Sequence, residues 1–236
     1  MFSEEFSNQK GCSFIITAEQ ASDFAKTVCN DFNPIHNPGN KRFCIPGDLL
    51  FALAVENYGL SEEIDVVFTG LVGADTQLTF PVISSIEKVI KDARGRQYLT
   101  FNKSGKERSF DKNVEELVRA YVAFSGQNFP SILVPLMADF DVMINPSRPL
   151  IIYQSMSLRL KNLEFSKPSL LLSKRELNVS GKRGDAYLYF NVLDGIKSIG
   201  QGVKHLILSG LRPFDKVKVE EMINQYCQLQ REYKEL

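Results

Sequence analysis

The sequence contains no tryptophan and only two histidines among its 236 residues, so any imidazole chemistry rests on His36 or His205. A surplus of one charge is also missing: Lys plus Arg and Asp plus Glu both number 28. Without it there is no global field to draw the chain to nucleic acid or to an anionic membrane, and partners must be recognised locally. The four cysteines, Cys12, Cys29, Cys44 and Cys227, include no CxxC pair. That argues against a zinc site or a disulfide framework and for reduced thiols in a reducing compartment. No apolar run approaches the length that spans a bilayer, and the opening MFSEEFSNQKG carries acids where a signal peptide carries bases. The expectation is a cytoplasmic protein with no membrane insertion, no nucleic-acid partner, no metal and no resident cofactor.

What is present is apolar. Hydrophobic residues make up 44% of the chain, ample for a core in one large domain or two ordinary ones. The densest stretch, LLFALAV at Leu49–Val55, lies in a helix expected from about Asp48 to Tyr58 and stopped at Gly59. A helix that is apolar all round shows no face to water and must be wrapped by other elements. Before it, Thr17 and Gln20 form a capping box that opens a helix running to about Val28. After it, 66–68, 71–80, 83–91, 97–102 and 119–125 read as successive strands, separated by turn residues such as Gly70, Gly95 and Gly105. A buried helix followed by antiparallel strands gives an α+β class.

The second half carries a faint copy of the first. Arg94–Asn102 and Arg183–Asn191 share the pattern RGxxYLxFN, and Val122–Gly126 aligns with Leu206–Gly210. Duplication is the reading: residues 1–128 form the first repeat, 129–212 a degenerate second, and 213–236 a C-terminal amphipathic helix. Leu150–Leu163 then supplies the second central helix and Ser169–Leu211 the second set of strands. The tail places Val219, Met222, Tyr226 and Tyr233 at helical spacing, so it docks on the body or on a second subunit of a homodimer. Gly200-Gln201-Gly202 lacks the third glycine of a dinucleotide loop and follows no βαβ unit, which argues against nucleotide binding.

The chemistry-bearing residues cluster around the central helix. Asp31, Asn33, Pro34 and His36 form a polar turn, and Gly47 opens the helix. A carboxylate, an imidazole and free helix N–H groups are the parts of an acid/base site with an oxyanion donor. The run FIITAEQASDFAKTVCNDFNPIH, Phe14–His36, resembles the entry segment of the MaoC-like hot-dog dehydratases, which include the (R)-specific enoyl-CoA hydratases. Their Gly-Asp-x-Asn-Pro-(aliphatic)-His turn is matched by Asp31, Asn33, Pro34, Ile35 and His36. Asn30 stands in the glycine's place, and asparagine tolerates left-handed backbone.

The resemblance implies a hot-dog fold, doubled within one chain as two antiparallel sheets each wrapped around a central helix. It also implies a hydro-lyase on acyl thioesters, carried by coenzyme A or acyl carrier protein. Asp31 and His36 would activate water to convert a trans-2-enoyl thioester reversibly to the 3-hydroxyacyl thioester. The N–H of Gly47 is expected to meet the thioester oxygen, Asn33 to shape the turn or orient a site group, and Lys41 and Arg42 to contact a carrier phosphate or lie solvated. The chain departs from the family at Pro46, where a histidine is usual, and at Asp48, whose carboxylate is expected to compete for the N–H groups of the helix start. The alternative is a non-catalytic acyl-thioester-binding or structural hot-dog protein, with Asp31 merely capping the turn. A cavity plugged by Phe43 or Phe51 would favour that alternative. His205, in a strand-like run, is expected to be structural.

Overall fold

The computed structural model describes residues 1–82, 87–126 and 128–235. Part of the strand expected at 83–91 therefore lies outside the described residues. The chain opens with helix α1 (Phe2–Phe6), strands β1 (Asn8–Lys10) and β2 (Ser13–Ile15), and helix α2 (Ala18–Asp23). The Thr17 hydroxyl accepts the N–H of Gln20, and the Gln20 side chain accepts that of Thr17, so the capping box forms. Helix α2 then widens into a π-helical turn over Phe24–Val28. Helix α3 (Gly47–Tyr58) buries every residue from Asp48 to Val55.

Strands β3 (Leu60–Phe68), β4 (Leu78–Thr79), β5 (Glu87–Asp92) and β6 (Gln97–Arg108) follow, then helices α4 (Lys112–Gly126) and α5 (Val134–Ala138). Strands β7 (Val142–Met143), β8 (Ile151–Leu160), β9 (Pro168–Ser180), β10 (Arg183–Asp194), β11 (Lys197–Ser209) and β12 (Arg212–Pro213) lead to helix α6 (Lys216–Lys234). Ten of these strands make one antiparallel sheet in the order β1-β2-β4-β5-β6-β3-β8-β11-β10-β9. The strands of the two halves meet at β3 and β8, with Ile64 opposite Leu158 and Val66 opposite Met156. The two sheets expected are thus joined into one across that seam.

Ile64, Val66, Leu99 and Phe101 share a core with α3. Helix α4 packs against α3 and β9, and its Leu117, Val118 and Tyr121 share that core with Phe190 and Val192 of β10. A smaller core joins Leu133 and Met137 to Leu188 and Leu206, with Val219 and Met222 of α6 closing it. This is an α+β arrangement on the hot-dog plan, an antiparallel sheet wrapped around the buried helix α3. Helix α6 docks on its own body, and no helix among the described residues is long and apolar enough to cross a membrane.

Three expected elements are corrected. The helix expected at Leu150–Leu163 is strand β8: Met156, Leu158 and Leu160 are buried in alternation, the two-residue period of a sheet face. The strand expected at 119–125 is the second half of α4. Its buried Val114, Leu117, Val118, Tyr121 and Val122 recur at helical spacing, and the Asp111 carboxylate caps its start by accepting the N–H of Val114 at 2.9 Å. Over 71–80 only Leu78–Thr79 is strand, because the chain turns at Asp75, which is left-handed at φ 59. The aligned Val122–Gly126 and Leu206–Gly210 are therefore helix and strand. Of the RGxxYLxFN copies, one runs into β6, beside seam strand β3, and the other lies on β10, one strand removed from β8. Gly202, of the GxG, serves strand packing: a Cβ there would stand 2.5 Å from the Ser157 carbonyl oxygen.

Candidate active site

The turn after α2 is built by backbone bonds. The N–H of Asp31 donates to the carbonyl of Ala25 at 2.7 Å, and Asn30 takes the left-handed conformation at φ 54. The Asp31 carboxylate accepts the N–H of Asn33 at 2.9 Å. The Asn33 side chain accepts the N–H of Ile35 at 3.2 Å and so caps the single 3₁₀ turn Pro34–His36, whose first residue is already fixed in φ by its ring. Asn33 shapes the turn.

That turn brings His36 back toward Asp31. His36 Nδ1 lies 2.7 Å from the Cys44 carbonyl oxygen. A carbonyl can only accept, so Nδ1 carries the proton and the neutral ring presents Nε2 as an acceptor. Nε2 lies 3.7 Å from Asp31 Oδ2, too far for a direct hydrogen bond and near enough for one oxygen to touch both. Both side chains open on a cavity of about 120 Å³ that Leu50, Val72 and Leu133 also line. Burial is the largest influence on the Asp31 carboxyl and raises its pKa. Asp48 adds to the rise, while His36, the N–H of Asn33 and Lys204 offset part of it. Burial also pushes the Cys44 thiol up to about 12, with Asp31 adding, so this thiol beside the histidine is not a nucleophile at neutral pH.

An outer groove of about 360 Å³ runs between α6 and the 144–151 segment, lined by Pro34, Met222 and Leu229 among others. Asn33, Phe129 and Ile151 line both groove and cavity, so the two adjoin. Neither Phe43 nor Phe51 lines either space; Phe51 packs edge-on against Tyr121 in the core, ring centroids 4.9 Å apart.

The other expected site residues fall differently. Lys41 and Arg42 are exposed and line neither space. Gly47 lines the cavity, but a Cβ there would stand 3.0 Å from Tyr153 Cδ1 and 3.1 Å from Phe68 Cε1, so aromatic rings cover the side from which a thioester was expected to approach. Asp48 does not cap α3. Its Oδ2 accepts the Ser125 hydroxyl at 2.6 Å and stands 3.7 Å from Lys204 Nζ. His205 Nε2 bonds Asp185 Oδ1 at 2.8 Å and its ring stacks on Tyr187, on the sheet and outside both spaces. Among the described residues no group of three or more His, Cys, Asp or Glu is placed to hold a metal ion.

Four polar residues in the cavity wall escaped the sequence reading: Ser125, Asn128, Tyr153 and Lys204. Only Lys204 gives a local signal, a lone charge in the otherwise apolar beginning and end of the run Val203–Leu208.

The family described as "Protein of unknown function (DUF3581)" matches over residues 1–217. No curated protein matches the sequence. Among solved structures, a conserved protein of unknown function with hot dog fold from Alicyclobacillus acidocaldarius is 10% identical at a TM-score of 0.47, over 90% of this chain and 98% of that one. An acyl-CoA thioesterase II from Mycobacterium marinum is 9% identical at a TM-score of 0.41, over 72% and 90%. A protein described as a MaoC-like dehydratase is 10% identical at a TM-score of 0.39, over 89% and 99%.

Proposed function

The chain belongs to the DUF3581 family, and we propose that Asp31 and His36 are the acid/base pair of a hydro-lyase that adds water to a short trans-2-enoyl thioester, or removes it in reverse. One observation carries the reading: Nε2 of a histidine with a fixed tautomer and Oδ2 of a buried carboxyl stand 3.7 Å apart at one cavity. His36 Nε2 takes a proton from water as the water oxygen bonds to C3. Asp31, whose carboxyl keeps its proton to higher pH than usual because it is buried, delivers a proton to C2. The proton taken by His36 then returns to Asp31, and the product is the 3-hydroxyacyl thioester.

The size of the cavity bounds the acyl chain. A cavity of roughly 150 Å³ holds a benzene ring, so about 120 Å³ suits a four-carbon acyl group. The adjoining outer groove would take the carrier arm of coenzyme A or acyl carrier protein. In this reading residues 1–128 are the repeat that bears the acid/base turn, 129–212 the repeat that completes its cavity through Ile151 and Lys204, and 213–236 the brace behind the turn. Acyl thioesters and unpaired thiols both fit a cytoplasmic setting.

Hydration of crotonyl-CoA by the full chain tests the proposal. Asp31→Asn and His36→Ala are each expected to lower kcat by about 10²- to 10⁴-fold, and equal rates in all three proteins would refute it. The covering of Gly47 by Tyr153 and Phe68 favours a second reading, an acyl-thioester binder without turnover. Tight binding of butyryl-CoA with no hydration of crotonyl-CoA would select it.

A further inference from the structure

The cavity that opens on Asp31 and His36 has a second polar wall that the turn does not use. Lys204 projects from β11 and is 4% exposed. Its Nζ hydrogen-bonds the Ser125 hydroxyl, stands 3.7 Å from Asp48 Oδ2 and lies 4.1 Å from the centroid of the Tyr153 ring. An ammonium has three donors. The hydroxyl takes one, and the carboxylate is beyond hydrogen-bond distance. A buried cation so sparsely bonded is costly unless another acceptor meets it. Its neighbours are short of partners too: among the described residues, Asp48 Oδ1 and both side-chain polar atoms of Asn128 meet no hydrogen-bond partner, although the residues are only 8% and 4% exposed. Native interiors leave few such atoms, and here they border one hollow.

Three features select a neutral oxygen that gains charge during reaction. Asp48 already balances the ammonium, so a second full anion is disfavoured. At Gly47, the residue otherwise expected to supply the donor, the Tyr153 and Phe68 rings crowd the side where a Cβ would stand. Ser125 on α4 and Asp48 on α3 hold Nζ in place before any ligand arrives, which is what makes a donor effective against developing charge. We infer that the Lys204 ammonium donates to the carbonyl oxygen of the bound acyl thioester, with Ser125 and Asp48 as its positioning residues. The inference rests on the acyl-thioester reading above. Lys204 forms no bond to carbon; it stabilises the enolate oxygen present between attack at C3 and protonation at C2.

Infrared difference spectra of carbonyl-labelled butyryl-CoA bound to the full chain read this contact directly. The carbonyl stretch is expected to fall in frequency on binding to the wild type. Lys204→Met should return it to its solution position while butyryl-CoA still binds, and Lys204→Arg should recover part of the fall. In crotonyl-CoA hydration, Lys204→Met should lose about 100-fold in kcat with KM changed less than about threefold. Should Lys204→Met not fold, the paired Lys204→Met/Asp48→Asn, which leaves no uncompensated carboxylate, takes its place. A wild-type-like frequency shift in a folded Lys204→Met protein, or a raised KM with kcat preserved, overturns the inference while the hydratase reading stands. A wild type that binds no butyryl-CoA overturns both.

Discussion

The hydroxyl of Tyr226, on α6, donates to the carbonyl of Asn30 at 3.1 Å and accepts the N–H of Phe32 at 3.2 Å. One phenol thus clamps the backbone on both sides of Asp31, from 194 residues beyond Phe32. Gln230 reinforces the clamp by donating to Asn30 Oδ1 at 2.8 Å, and the Phe32 ring meets Tyr226 edge-on. The C-terminal helix therefore sets the aim of the carboxylate.

Tyr226→Phe leaves those two backbone groups without their partner. The expected cost is about 1–3 kcal/mol in denaturant unfolding. Activity should fall further than stability, by about tenfold to a hundredfold per folded molecule, because a small shift of an acid/base group is amplified in rate. Hydration measured well below the unfolding midpoint separates the two effects. Unchanged turnover there would show that α6 does not aim Asp31.

Asp31 itself predicts a stability profile with a definite sign. Its pKa is raised above the ordinary carboxyl value of 3.8, chiefly by burial, so the folded chain keeps the proton to higher pH than the unfolded chain. The stabilisation from that proton is complete below the unfolded value and is lost as pH rises through the folded one. Asp31→Asn retains an acceptor for the N–H of Asn33 and escapes the loss. Urea unfolding should find the variant at least as stable as wild type at about pH 8, with the gap closing toward about pH 4. A carboxylate that merely capped the turn would give the reverse, a variant weaker than wild type at the upper pH.

What was legible in the sequence was local. The apolar run Leu49–Val55 declares a buried helix, and Thr17 with Gln20 declares a capped start; both need fewer than a dozen residues to read. The turn bearing the candidate pair is equally compact, since Asp31, Asn33 and His36 bond mainly to backbone nearby. The later half of α4, RAYVAFS, reads as a strand because it is rich in the branched and aromatic residues that favour strands. The stripe from Val114 to Val122 shows only in a longer window. Analogy with the first half makes β8 a helix, whereas Met156, Leu158 and Leu160 alternate as a strand should. Beyond the lone charge of Lys204, the second polar wall has no local signature: Ser125 lies 77 residues from Asp48 and 79 from Lys204, and only the folded chain brings α3, α4 and β11 together there.

Gly126, at the end of α4, tests how closely that helix is seated on the turn. A Cβ there would stand 2.1 Å from the Cys29 carbonyl oxygen and 2.7 Å from Cys29 Cβ, and backbone cannot swing aside as a long side chain can. Gly126→Ala should therefore cost about 1–3 kcal/mol or more as overpacking, outweighing the gain of at most about 1 kcal/mol that a better helix former would otherwise bring. Turnover should drop with it, since Cys29 precedes Asp31 by two residues. Thermal unfolding that finds the variant unchanged or stabilised would show that α4 and the turn are not in this contact.

If the cavity holds the acyl group as proposed, it sets a limit on chain length that can be moved. Leu50 on α3 is 2% exposed and lines the space beside Asp31 and His36, so truncating it enlarges the acyl end without touching either group. Wild type should hydrate crotonyl-CoA in preference to the six- and eight-carbon enoyl thioesters, which are longer by two and four methylenes, by about tenfold or more, since even one methylene in a fitted pocket is worth about that much. Leu50→Ala should lower stability by about 2–5 kcal/mol and shift the preference toward the six-carbon substrate. Competition between the two thioesters in one assay measures the ratio of kcat/KM directly. If that ratio is the same in both proteins, the acyl chain does not lie against Leu50, and the cavity is not where the short chain ends.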